Sequence, residues 1–90
     1  MEQLPEGVAV YRQTPEMTEV SIPSSLLSSY TIKAGTWGRI VVLEGWLNYM
    51  IEDGNAVHAL SPSRPGIIEP EAPHRVEPDG AVTFKVDFSR

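Results

Sequence analysis

The chain contains no cysteine, and that one absence removes disulfides, thiolate metal ligands and thiol catalysis together. A secreted domain this small is often stapled by disulfides, so an unstapled chain points to the cytoplasm. Basic residues are scarce: seven Lys+Arg stand against twelve Asp+Glu, for a net charge of −5. That balance repels phosphate backbones and anionic lipid, so nucleic acid and membrane surfaces are not expected partners. No stretch reaches the length of a membrane helix, about 20 apolar residues. The opening Met-Glu-Gln-Leu-Pro-Glu has neither the basic start nor the apolar run of a secretory signal. There is no Gly-x-Ser-x-Gly elbow, and the serines from Ser24 to Ser29 lack a nearby histidine–carboxylate pair. A glycine loop able to cradle a phosphate is also missing.

What is present is a period of two. Val82, Phe84, Val86 and Phe88 alternate with Thr83, Lys85 and Asp87, the pattern of a half-buried strand with one apolar face. Leu47–Glu52 and Ala56–Leu60 flank Asp53-Gly54-Asn55, a hairpin signal. Asp79-Gly80 reads as a second turn, separating a strand at His74–Glu77 from the last one. Further strands are expected at Val8–Arg12, Glu19–Ile22, Tyr30–Ala34, Arg39–Gly45 and Gly66–Glu69. Eight prolines and seven glycines punctuate these segments and exclude a long helix. Pro23-Ser24-Ser25-Leu26-Leu27 allows one helical turn, with proline at its first position. The expected fold is a single all-β domain over residues 1–90: a sandwich or closed barrel of about eight to ten short antiparallel strands, an arrangement that hides strand edges.

The segment with most chemical content is Gly66 to Glu77. Two strand-like stretches flank a rigid Pro70-Glu71-Ala72-Pro73 corner that delivers His74 to the start of the second. His74 shares strand parity with Val76, so its ring should face inward. It then serves as a metal ligand or general base, or rests as a buried histidine bonded to a backbone carbonyl. Tyr30 has the parity of Ile32, also inward, and either lines a site or fills the core. Lys33 either gives that pocket a cation or is a solvated strand lysine. Glu69 and Glu71 could turn toward His74, although an exposed loop carboxylate is their ordinary state. Glu44 reads as a solvated turn residue and His58 as a surface histidine. Trp37 and Trp46 suit a core or an interface.

Several strings, taken in order, resemble the TehB/YeaR-like family of small cupins, which is associated with tellurite resistance in bacteria. They are Leu4-Pro5-Glu6-Gly7, Tyr11-Arg12-Gln13-Thr14-Pro15 and Ile22-Pro23-Ser24-Ser25-Leu26-Leu27. Then come Thr31-Ile32-Lys33-Ala34-Gly35-Thr36-Trp37-Gly38, Val42-Leu43-Glu44-Gly45 and Glu69-Pro70-Glu71-Ala72-Pro73-His74-Arg75-Val76-Glu77. The resemblance runs from Leu4 to Arg90 in one register. It implies a cupin jelly-roll barrel, a homodimer and a bound divalent metal such as zinc, nickel, iron or manganese. The chain departs from that family where the metal would sit. Tyr30 stands where members carry a histidine, and Gly38 falls in the slot of the glutamate. Neither Thr31 nor Lys33 replaces the missing histidines, so weakened or absent metal binding is expected, with His74 as ligand if any metal binds.

These readings converge on a small cupin-fold binding protein for a small molecule or a metal ion. Tyr30, Ile32, Lys33, His74 and Val76 are its expected ligand-binding residues, and His74 its metal ligand. The alternatives are a metal-dependent cupin enzyme of oxidative or isomerising type using His74, and a non-catalytic interaction module.

Overall fold

The protein is described by a computed structural model covering residues 4–27, 31–52 and 56–90. The strands are β1 (Val10–Gln13), β2 (Met17–Thr18), β3 (Trp37–Ile51), β4 (Ala56–Leu60), β5 (Gly66–Ile68) and β6 (His74–Ser89). The fold is all-β and antiparallel, with a single helical turn at Ser24–Leu27 where the proline-led string predicts one. Among the described residues no helix is long and apolar enough to cross a membrane.

Two long strands carry the structure. β3 and β6 pair from Trp37↔Ser89 at one end to Ile51↔His74 at the other, and each merges two segments expected to be separate. With these mergers, the loss of the strands expected at 19–22 and 31–34 and the gain of β2, six strands stand among the described residues in place of the expected eight to ten. Neither Gly45 nor Asp79-Gly80 ends a strand; the irregularities are absorbed as bulges between Val42 and Glu44 and between Gly45 and Leu47. Gly45 takes φ 75°, and a Cβ there would run into the carbonyl oxygen of Ala81, so only glycine fits.

The bulge has a consequence for side-chain direction. Before it, Gly38, Ile40 and Val42 are buried; after it, Leu47 and Tyr49 are. The inward parity of β3 switches from even to odd, as one inserted residue requires. In β6 the inward set stays even, at His74, Val76, Val82, Phe84 and Val86. Both sets close on one core with Leu60, Ile68 and Met17.

The pairing order is β1-β6-β3-β4, with β2 added on β6 and β5 on β3. Among the described residues no pairing joins β1 to β4, so the all-β antiparallel fold is as expected while the sheet does not close into a barrel through these pairings. The hairpin of β3 and β4 is in the expected register, Leu47↔Leu60 to Ile51↔Ala56; its Asp53-Gly54-Asn55 turn lies outside the described residues. Glu19–Ile22 and residues 31–34 are not strands. In the second case Gly35 at φ 80° and a Thr36 N–H donating to the Lys33 carbonyl at 3.2 Å make a turn instead.

Candidate functional site

The proline corner does deliver His74 to the first position of β6, where it is completely buried. Its Nδ1 lies 2.8 Å from the Ala72 carbonyl oxygen. A carbonyl can only accept, so Nδ1 carries the proton, and in the neutral ring Nε2 is the lone-pair nitrogen. Burial lowers the His74 pKa, against smaller opposing effects from the Ala72 hydrogen bond and the Glu52 carboxylate. The imidazole is therefore neutral at ordinary pH.

The edge of that ring meets Tyr49, with centroids 5.8 Å apart and planes 76° apart. Tyr49 is buried, pairs with Val76 on one side and His58 on the other, and its hydroxyl donates to the Ile67 carbonyl at 3.0 Å. Gly66 makes room for this arrangement, because a Cβ there would come within 2.7 Å of Leu60 Cδ1 and 3.2 Å of Tyr49 Cδ2. Burial, reinforced by the Glu69 carboxylate, raises the phenol pKa far above its usual value. The phenol thus keeps its proton and is no nucleophile or base. Tyr49, Glu69 and Ala72 border a cavity of about 260 Å³.

Ile32 and Lys33 line a different cavity, of about 370 Å³, together with Tyr11, Arg12, Thr36 and Phe88. The two places are linked by the corner, since the Glu71 N–H donates to the Ile32 carbonyl at 2.9 Å. Val76 lies in the core beside Tyr49. Tyr30, expected to share a pocket with His74, lies outside the described residues. Sequence reasoning did not single out Tyr49 or Arg12. The alternation of Leu47, Tyr49 and Ile51 carried the signal for Tyr49, whereas nothing local announces that Arg12 would meet Lys33.

The family model for the TehB-like domain matches residues 12–86. Two Haemophilus influenzae proteins, from strains KW20/Rd and 10810 and each named "Probable S-adenosyl-L-methionine-dependent methyltransferase TehB", are 36% identical over 72 residues. That match takes in 74% of this chain and 25% of theirs, so the chain spans about a quarter of the length of these curated relatives. The crystal structure of TehB from Haemophilus influenzae superposes with a TM-score of 0.82 at 31% identity, over 93% of this chain and 32% of that one. A crystal structure of an Escherichia coli K12 protein superposes with a TM-score of 0.84 at 23% identity, over 100% of this chain and 97% of that one. It shows that this fold can make up nearly a whole chain.

These findings correct the expectation of a cupin-type binding protein for a small molecule or metal ion. The relatives carry the name of a group-transfer enzyme that uses S-adenosyl-L-methionine, so the oxidative or isomerising cupin enzyme and the bare interaction module fall with it. The divalent metal falls too: among the described residues no three His, Cys, Asp or Glu side chains gather to hold an ion. With the family model spanning residues 12–86, the chain belongs to the TehB-like domain family.

Proposed function

We propose that this chain serves S-adenosyl-L-methionine-dependent methyl transfer as its all-β portion. The observation that carries this reading is the 36% identity to two proteins named for that activity, over 72 residues. Neither of the two cavities described above fits the methyl donor itself. The donor pairs a sulfonium cation with a zwitterionic amino acid and a nucleoside. The cavity beside Tyr49 is small, and its phenol already donates to Ile67. The larger one presents the cations Arg12 and Lys33, which repel a sulfonium. Neither cavity is therefore assigned to the donor. A cytoplasmic location and a two-fold homodimer belong to the same proposal. Leu43 at 40% and Trp46 at 51% exposure supply apolar surface for a second copy.

The test is methyl transfer from tritiated S-adenosyl-L-methionine to small acceptors in extracts of the native cells with and without this chain. Transfer should fall without the chain and return when the purified chain is added. Equal transfer in both extracts would overturn the reading. Equilibrium dialysis of the donor against the chain alone should show no retention; micromolar retention would place the donor here after all.

A further inference from the structure

Basic side chains are scarce in this protein, yet three of the seven gather at one place. Arg12 and Lys33 line the cavity of about 370 Å³. Arg90 stacks on Tyr11, another lining residue, with its guanidinium carbon 4.1 Å from the ring centroid. Among the described residues no carboxylate lines this cavity, and the ion pair within 4.0 Å is Lys85–Asp87, elsewhere. In a chain of net charge −5, cations assembled without partners make a local field that attracts anions.

The arrangement is held in place before any ligand arrives. Arg12 pairs with Phe88 across β1 and β6 and lies 4.8 Å from its ring centroid, which fixes the guanidinium over an aromatic face. The backbone at Lys33 is pinned on both sides, at Ile32 by the Glu71 N–H and at Lys33 by the Thr36 N–H. A guanidinium fork resting on an aromatic face and an ammonium on the same cavity suit a carboxylate or a related oxyanion.

Arg12 and Phe88 also form a wall of a second cavity of about 490 Å³, whose other side includes Met17, Pro23 and Leu26. That neighbour is mostly apolar, with Glu16 on its lining. The carboxylate directs an anionic head to the Lys33 side and leaves an apolar body to the Met17 side.

We propose that this pair of cavities binds a small organic anion, its oxyanion head between Arg12 and Lys33 and its apolar body along Phe88 toward Met17 and Leu26. The site stands on its own geometry and does not rest on the methyl-transfer reading.

The experiment is a titration of the whole chain followed by heteronuclear amide spectra, with benzoate, benzyl alcohol and inorganic phosphate as probes. Benzoate should give saturable shifts at the amides of Arg12, Lys33, Thr36 and Phe88. Benzyl alcohol keeps the body without the charge and should bind about tenfold more weakly. Phosphate tests the head alone; affinity equal to that of benzoate would overturn the apolar half of the site. Arg12→Gln with Lys33→Gln should weaken benzoate about tenfold or more at unchanged melting temperature. If that double variant unfolds, Lys33→Gln alone, on an exposed turn, must still weaken it several-fold. Unsaturable shifts, shifts away from these amides, or affinity unchanged by the substitutions would overturn the proposal.

Discussion

The two ends of β6 treat polar side chains in opposite ways. At its start, His74 and Tyr49 are buried, neutral and bonded inward, one to the Ala72 carbonyl and the other to the Ile67 carbonyl. Burial shifts both groups toward their uncharged forms. Near its end, Arg12 leans on Phe88 while staying exposed and charged, with Lys33 across a cavity. The first end uses polar atoms to join β3, β5 and β6; the second leaves them available to an incoming group. The contrast teaches that a histidine in a corner is not for that reason the reactive end of a small β-domain. Polar groups already bonded within the protein stabilise it, whereas cations without carboxylate partners recruit.

Substitutions can break that contrast, and the largest effect belongs to the buried end. Tyr49→Ala removes a ring at the centre of the core and should cost about 3–5 kcal/mol in urea unfolding, the usual range for a buried aromatic. Benzoate affinity of the molecules that remain folded should not change. Gly45→Ala comes next. It places a Cβ against the Ala81 carbonyl at φ 75° and should cost more than about 1 kcal/mol. It should loosen the pairing of β3 with β6 around Val82 first, since Gly45 sits there between the two register shifts.

How much of this could be read beforehand differs between the ends. Period-two alternation places His74 and Val76 on the inward face, and both are buried. The proline corner and the helical turn at Ser24–Leu27 were equally plain, being local chemistry. Gly45 and Asp79-Gly80 misled because turn residues look alike whether they end a strand or bulge it. The neighbour across the sheet decides, and β3 and β6 pair through both places. That Arg12 lies on Phe88 and shares a cavity with Lys33 depends on the packing of distant segments, which no window of sequence displays. The jelly-roll topology rests on the family resemblance, while barrel closure and the metal rest on strand number and on His74, neither of which can enforce them.

At the exposed end, Arg12→Gln with Lys33→Gln should change unfolding free energy by less than about 1 kcal/mol, as exposed substitutions do. The same pair should show the loss of anion affinity set out above, the reverse of Tyr49→Ala. A smaller effect sharpens the buried end. Because the folded pKa of His74 lies below its ordinary value of 6.5, protons bind the unfolded chain more readily. The stability it contributes is intact above about pH 6.5 and is lost as pH falls from there through the lower folded value. Urea midpoints between about pH 7 and pH 5 should therefore drop for the wild type and drop less steeply for His74→Gln. Parallel profiles would mean that His74 is protonated as easily in the folded protein as in the unfolded one.

The most direct test of the division between the two ends is crystallographic. Crystals grown with para-iodobenzoate give an anomalous iodine signal that locates the anion without assumptions about contacts. The iodine should lie beside Phe88, toward Met17 and Leu26, with the carboxylate between Arg12 and Lys33. An iodine peak in the cavity bordered by Tyr49 and Glu69, or none at either place at saturating concentration, would contradict the account.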